Sequence, residues 1–229
     1  MEACSMIENV NAGETMDLHQ LIRETPCLWK GRSEGSVSQP ENGFLDTGFE
    51  ELNALLPTGG WPVKSIIEIV VDDWGNGELQ VLLPVMRELS QQKTYLSLVS
   101  PPYLPYAPAL HNAGIALNQL DIIDNAVSAR EKWWSAEKIL QHGDCGLVMI
   151  WPERPDAQQW SGYIRRLQRA AETGNSTGII LYRGKPVDTP ASLRLKLGYC
   201  EAGIDVKILK SRFGWDHGSA LIPHEFPLL

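Results

Sequence analysis

The feature that most constrains this sequence is a strand, a glycine loop and a helix in direct succession. Residues 65–71 (SIIEIVV) predict a buried strand, residues 72–77 (DDWGNG) a tight loop, and residues 78–91 an amphipathic helix. This order is typical of a phosphate-binding P-loop, which also requires a Lys for the β- and γ-phosphates and a Ser or Thr for magnesium. Neither side chain is present, because the loop continues into Glu78 and Leu79.

The loop carries negative charge at the place where a triphosphate would have to lie. Helix N-termini bind anions through their free N–H groups, and carboxylates at the same position compete for those donors. We therefore predict no ATP hydrolysis and no bound cofactor, with Trp74 closing over the empty site or, alternatively, stacking on a ligand. The degenerate loop consists of Asp72, Asp73, Trp74, Gly75, Asn76, Gly77 and Glu78.

Length and composition suggest one domain, with or without a terminal arm, in a chain of 229 residues. No apolar run reaches the length of about 18 residues that a membrane span needs, and the first residues lack a secretion signal, so we expect a cytoplasmic protein. Four cysteines without a CxxC pair favour reduced thiols over disulfides or zinc. The net charge of −8 argues against a dedicated DNA clamp.

The chain divides into three predicted parts. Residues 1–42 read as an N-terminal arm and linker, residues 43–215 as the core domain, and residues 216–229 as a loose C-terminal tail. The arm contains a short predicted helix at residues 16–25, whose apolar stripe could pack on its own domain or dock on another molecule. The candidate docking residues of the arm are Leu18, Leu21, Ile22, Leu28 and Trp29.

The core alternates short apolar runs with helix-length segments. Such alternation predicts an α/β fold with a mainly parallel sheet covered by helices on both faces. The clearest helix spans residues 156–173, with Trp160, Ile164, Leu167 and Ala171 on one buried stripe. Residues 192–200 and 204–209 predict an antiparallel hairpin at the C-terminal edge of the sheet. Besides residues 65–71, the predicted parallel strands are residues 94–100, 121–124, 146–151 and 178–182.

Several segments resemble one known family. Residues 44–62, with their Thr47-Gly48 pair, and residues 66–69 (IIEI) resemble the opening of RecA-type ATPase cores. Residues 75–84 (GNGELQVLLP) and 101–110 (PPYLPYAPAL) add to this resemblance, as do residues 28–32 (LWKGR), 165–168 (RRLQ) and 192–197 (SLRLKL). Together they make the chain similar to the ImuA family, which comprises RecA-like accessory proteins of bacterial SOS mutagenesis and is also described as SulA-like.

The resemblance implies a RecA-like P-loop NTPase fold that has become a pseudo-ATPase. It implies induction by DNA damage, a role in translesion DNA synthesis, and only indirect or weak contact with DNA. The implied partners are RecA, an ImuB-like polymerase-related protein and an error-prone DNA polymerase III alpha-type subunit. Two alternatives stay open: a SulA-like inhibitor of cell division that binds FtsZ, and an unusual ATPase in which Glu153 replaces the missing magnesium ligand after Trp151-Pro152.

Two further surfaces are candidates for binding. In the helix around residues 128–141, one of Trp133 and Trp134 should face the core and its neighbour, about 100° around the helix, should not. The outward indole is either a partner anchor or is covered by the helix edge. A basic patch suggests either nucleic-acid contact or a solvated helix face balanced by Glu153, Asp156 and Glu172. The residues of this patch are Arg165, Arg166, Arg169, Arg194 and Lys196.

Overall fold

The computed structural model describes residues 43–124, 128–153, 157–214 and 218–223, without the side chains of residues 157 and 158. A two-stranded antiparallel sheet pairs β1 (Phe44–Leu45) with β2 (Trp61–Pro62). The large sheet contains β3 (Ile66–Val71), β4 (Tyr95–Val99), β5 (Leu120–Ile123), β6 (Cys145–Ile150), β7 (Thr177–Arg183), β8 (Leu193–Cys200), β9 (Gly203–Ser211) and β10 (Ser219–Pro223). The helices are α1 (Glu50–Leu55), α2 (Leu83–Gln91), α3 (Ala107–Asn112), α4 (Ala129–Gln141) and α5 (Ala157–Gly174).

The eight strands of the large sheet lie in the order β10-β9-β8-β3-β7-β6-β4-β5. The six strands from β8 to β5 are parallel, whereas β9 pairs antiparallel with both β8 and β10. The protein is therefore an α/β fold with a mostly parallel sheet, helices on its faces and antiparallel strands at one edge. This confirms the predicted fold class and is consistent with a RecA-like α/β fold.

Helices cover the two faces of the sheet with separate apolar cores. On the first face α1, α2 and α3 bury side chains such as Leu52, Met86 and Leu110 against the sheet. On the second face α4 and α5 contribute Trp133 and Trp160. The predicted stripe of α5 is confirmed, because Trp160, Ile164, Leu167 and Ala171 are all buried.

The helix after the degenerate loop begins later than predicted. The chain first forms a 3₁₀ turn at Gln80–Leu82, and the α-helix starts at Leu83 instead of Glu78. Pro84 explains the difference, because proline has no N–H to donate and its ring would clash with the carbonyl of residue 80 in a continuous helix. At the first turn of a helix, where Pro84 lies, the same ring is tolerated.

The predicted loose tail is wrong for residues 219–223, which form β10. The strand pairs with β9 along its length and packs on α1. Its side chains alternate, since Ala220 and Ile222 are buried and Leu221 is exposed. Period-two alternation over only five residues is a weak signal in sequence. The strand that these residues form is nevertheless long enough to cover the outer side of β9. The predicted hairpin of β8 and β9 exists, but β10 and not the hairpin forms the edge.

The Thr47-Gly48 motif holds the segment before β3 in place. The Asp46 carboxylate accepts hydrogen bonds from the Asn53 side chain at 2.7 Å and from the Gly48 N–H at 2.8 Å. These two bonds, the Asn53 bond first, lower the pKa of Asp46. Gly48 has φ +81°, and a Cβ there would lie 2.3 Å from Pro84 Cβ, so only glycine lets this turn contact α2.

A buried ionic network joins the central strand β3 to β8 and α5. Glu68 of β3 is completely buried and accepts hydrogen bonds from Arg194 Nε at 2.6 Å, Trp160 Nε1 at 2.7 Å and Thr189 Oγ1 at 2.9 Å. Arg194 also donates to Thr189 Oγ1 at 2.8 Å. A charged pair in this position is tolerated only when its hydrogen bonds are satisfied within the protein.

We expect Arg194→Met to lower the free energy of unfolding by about 3–5 kcal/mol, because it leaves the Glu68 carboxylate buried without its counter-ion. Glu68→Leu/Arg194→Met should recover part of this loss, since no unpaired charge remains. Urea unfolding followed by tryptophan fluorescence measures both effects. Lys196→Met is the matched control on the same strand, because Lys196 pairs at the surface and should cost less than about 1 kcal/mol. Equal losses for Arg194→Met and Lys196→Met would contradict the role assigned to the buried pair.

Candidate functional site

The candidate site lies at the carboxyl edge of the sheet, where adjacent strands lead to opposite faces. The chain leaves β4 toward α3 on the first face, and it leaves the neighbouring β6 toward α5 on the second face. In open α/β sheets such a reversal leaves a crevice in which ligands bind. Here the crevice has a volume of about 450 Å3 and is lined by Trp74, Ser100, Lys132, Trp151, Glu153 and Arg183, among others.

The two aspartates of the degenerate loop after β3 form ion pairs with cations of neighbouring strands. Asp72 Oδ1 lies 3.0 Å from Lys196 Nζ of β8, and Asp73 Oδ1 accepts a hydrogen bond from Arg183 of β7 at 2.9 Å. Asp73 also accepts from the Trp74 N–H at 2.9 Å, and this backbone bond, followed by Arg183, lowers its pKa. Each aspartate of the loop is thus paired with a cation from a neighbouring strand.

Glu78 occupies the anion-binding position of the loop. Its carboxylate is buried and accepts the Gly75 N–H, with distances of 3.2 and 3.3 Å to the two oxygens. In a working P-loop, backbone N–H groups of this kind point to the phosphates. The negative charge that the loop donors would attract is therefore supplied by the chain itself.

Trp74, in the middle of the loop, packs against other residues of the protein. Its ring is half-buried against the first core, and the Arg183 guanidinium lies 5.7 Å from the ring centroid, which is cation–π distance. Arg183 therefore connects Asp73 and Trp74. Trp74 and Arg183 both line the crevice on the side of the loop.

The neighbouring strands end without the carboxylates that a RecA-type ATPase needs. Ser100 follows β4 with φ +52°, a strained value for a residue other than glycine. Ser100 Oγ and Trp151 Nε1 are buried and have no hydrogen-bond partner among the described residues. Glu153, the alternative magnesium ligand, lies 3.6 Å from Lys132 Nζ and is engaged with that cation.

The two tryptophans of α4 face in different directions, as predicted: one is buried in the core and the other is exposed. Trp133 is 2% exposed, stacks on Tyr163 with centroids 4.6 Å apart, and meets Trp160 edge-on at 5.5 Å. Trp134 is 56% exposed. Trp133 is therefore a core residue, so its candidacy as a partner anchor is wrong, whereas the side chain of Trp134 is exposed to solvent. The arm residues Leu18, Leu21, Ile22, Leu28 and Trp29 lie outside the described residues.

The structure separates the members of the predicted basic patch. Arg194 is 5% exposed and bound to Glu68, so its inclusion was wrong. The error arose because β8 pairs with β3 in a register that places Arg194 beside Glu68, a contact between residues far apart in sequence. Lys196 pairs with Asp72, and Arg166 forms an ion pair with Glu137. Arg165 and Arg169 are exposed on α5.

The proline-rich segment presents exposed apolar side chains beside the loop. Tyr103, Leu104 and Tyr106 are 69%, 66% and 71% exposed, and α3 begins directly after them. A small cavity of about 210 Å3 separates this segment from Gly75 and Glu78. The segment is thus both the connection that starts α3 and an exposed apolar ridge at the carboxyl edge.

Tyr199 of β8 lies against the first core with its hydroxyl buried. Tyr199 Oη has no hydrogen-bond partner among the described residues. Burial raises the pKa of Tyr199 above its ordinary value, and the negative charges of Glu78 and Asp72 add to this shift. The phenol thus stays neutral in the folded protein at a pH where it ionises in the unfolded chain.

We expect Glu78→Ala to free the Gly75 N–H and to lower the free energy of unfolding by about 1.5–3 kcal/mol, the usual contribution of a hydrogen bond to a charged group. Hydrogen exchange of the Gly75 amide, followed by NMR, should become faster. Glu88→Ala is the control, because Glu88 is exposed and its carboxylate accepts a hydrogen bond from the side chain of Gln92, one turn further along the chain. A Gly75 amide that exchanges as fast in the unmodified protein as in Glu78→Ala would contradict the assignment of Glu78.

We expect the protein to lose stability as the pH rises above about 10, the ordinary pKa of tyrosine, because only the unfolded state then releases the Tyr199 proton. The contribution is fully present below that pH. Tyr199→Phe should remove this part of the loss while leaving stability near pH 7 unchanged or higher, since it deletes an unpartnered hydroxyl. Thermal unfolding of both proteins from pH 7 to 11 measures the difference. Parallel curves throughout this range would show that Tyr199 does not titrate as described.

Among the described residues no helix is both long and apolar enough to cross a membrane, and no group of three His, Cys, Asp or Glu side chains is placed to hold a metal ion. Comparison with protein-family models and with curated protein sequences finds no match to this chain.

Proposed function

We propose that this protein is a non-catalytic, RecA-like accessory protein of SOS-induced translesion DNA synthesis that acts in the cytoplasm through contacts with RecA and an ImuB-like polymerase-related partner. An error-prone DNA polymerase III alpha-type subunit belongs to the same expected assembly. The observation that carries the non-catalytic part is the hydrogen bond of the Gly75 N–H to Glu78. The partners rest on the resemblance to the ImuA family.

Loss of catalysis follows from the requirements of phosphoryl transfer. That reaction depends on positioning the phosphates and on cations that neutralise the charge developing on them. The two cations nearest the loop, Lys196 and Arg183, are paired with Asp72 and Asp73. A bound triphosphate would have to displace these carboxylates and that of Glu78, against their electrostatic repulsion.

Exposed aromatic side chains support a role in protein contact. Tryptophan and tyrosine are enriched at the energetic centres of protein interfaces. Trp134 on α4 and the ridge of Tyr103, Leu104 and Tyr106 place such side chains at the surface, and Tyr103 also lines the small cavity beside Gly75 and Glu78. These residues are the first surface to test for partner binding.

The function is tested by binding the full chain to immobilised RecA, ImuB-like protein and FtsZ. We expect binding to RecA or to the ImuB-like protein, and we expect Trp134→Ala to weaken it on the order of tenfold or more, as for a tryptophan at an interface centre. Leu221→Ala is the control, because it removes an exposed apolar side chain from the opposite edge of the sheet. Binding to FtsZ alone would replace the proposal with the SulA-like alternative.

Nucleotide binding is tested separately with the same protein. Millimolar ATP with magnesium should produce neither heat in calorimetry nor a shift in melting temperature. A saturable shift that Glu78→Ala enhances would show that the loop still accepts phosphate, and measurable hydrolysis would establish the ATPase alternative.

A further inference from the structure

A basic groove lies between α5 and the end of β9, away from the degenerate loop. It has a volume of about 470 Å3. Its lining combines Arg165 and Arg169 of α5 with Lys210 and Arg212, which follow in sequence only some forty residues later. Glu172 is the one carboxylate in the lining, so the groove gathers four cations around one acid in a protein whose net charge is −8.

Two of the four cations have no competing partner within the described residues. Arg165 and Arg169 are exposed, stand one helical turn apart on the same side of α5, and form no ion pair there. Lys210 is partly engaged, because it donates to the Thr189 carbonyl and lies 3.4 Å from Asp188 Oδ1. Glu172 is engaged as well, since it accepts a hydrogen bond from Gln168 at 2.8 Å.

The floor of the groove is fixed by Gln168. Its side-chain oxygen accepts the Ile66 N–H at 3.0 Å, and its nitrogen donates to the Lys64 carbonyl at 3.1 Å. These bonds attach α5 to the start of β3. The backbone positions of Arg165 and Arg169 are therefore set before any ligand arrives, which reduces the entropy lost on binding.

The chemistry of the lining favours phosphate over a protein segment. The energetic centres of protein interfaces are enriched in Trp, Tyr and Arg, and aromatic side chains usually supply their buried anchors. Among the described residues, Pro190 and Ala191 are the apolar residues of this lining, and it includes no aromatic side chain. Arginine, by contrast, supplies a planar fork of donors that matches phosphate oxygens, and three of the four cations are arginines.

We propose that this groove binds the phosphodiester backbone of nucleic acid, independently of sequence. Arg165 and Arg169 are four residues apart, which separates them by about 6 Å along the helix axis and lets each contact a phosphate of the same strand. The contact is electrostatic, because the cations of the groove meet phosphate oxygens, which are the same at every base. It goes beyond the proposed partner contacts and does not depend on them.

Fluorescence anisotropy of a labelled 20-nucleotide single strand with the full chain tests the proposal. We expect the logarithm of the binding constant to fall with the logarithm of salt concentration, with a slope between about −1.4, for phosphate contacts by Arg165 and Arg169 alone, and about −3, for contacts by all four cations. Arg165→Gln/Arg169→Gln should weaken binding about tenfold at low salt and make the slope less steep by about 1.4. The same measurements on the duplex determine which form of nucleic acid is preferred.

Two variants control for charge and for folding. Arg87→Gln/Arg130→Gln removes the same charge from exposed positions on α2 and α4 and should leave both affinity and slope nearly unchanged. Glu172→Gln removes the one carboxylate of the lining and should strengthen binding, a gain that misfolding does not produce.

Three outcomes would overturn the proposal. The first is no binding of either form at low salt, and the second is equal weakening by the groove variant and the control variant. The third is displacement of the single strand by polyglutamate as effectively as by unlabelled strand at equal charge, which would indicate an acidic protein segment as the occupant. This assay contains neither RecA nor the ImuB-like protein. Its results therefore test the groove independently of the proposed function.

Discussion

The buried ion pair of Glu68 and Arg194 is the interaction on which the rest of the structure depends. Glu68 is fully buried and Arg194 nearly so, and the protein therefore has to supply hydrogen bonds that water would have made. Trp160 from α5 and Thr189 from the segment before β8 complete this set. A shift of β8 by one residue would turn Arg194 to the other face of the sheet and leave Glu68 without its counter-ion. The network therefore specifies both the neighbour of β3 and the place where α5 crosses it.

The loop at the end of β3 depends on the same strand pairing. Lys196 lies two residues after Arg194 on the same face of β8, which brings its ammonium to Asp72. Arg183 reaches Asp73 from the end of β7, the other neighbour of β3. A phosphate-binding loop needs free donors, whereas this loop has a carboxylate for each nearby cation and Glu78 for the Gly75 N–H. The contacts that hold this loop thus come from the chain itself.

The parallel sheet and its helices could be predicted because their signals are local. Apolar runs and the stripe of α5 appear within short windows, and the 100° step of a helix requires that Trp133 and Trp134 diverge. Contacts between distant residues have no such signal. Nothing near Arg194 in sequence shows that it faces Glu68, and nothing near Arg165 points to Lys210 and Arg212. Two local signals were also missed: Pro84, which delays α2, and the alternation of residues 219–223.

The two candidate binding regions lie at opposite ends of β3. Gln168, the floor of the basic groove, bonds to Ile66 at the start of the strand, and the degenerate loop follows Val71 at its end. Six residues of strand extend about 20 Å, and they are held between two neighbouring strands. A nucleic-acid backbone in the groove would therefore not compete sterically for the loop or for the ridge of Tyr103, Leu104 and Tyr106. Glu68 and Gln168 both attach α5 to this one strand. The core therefore fixes the distance between the two candidate binding regions.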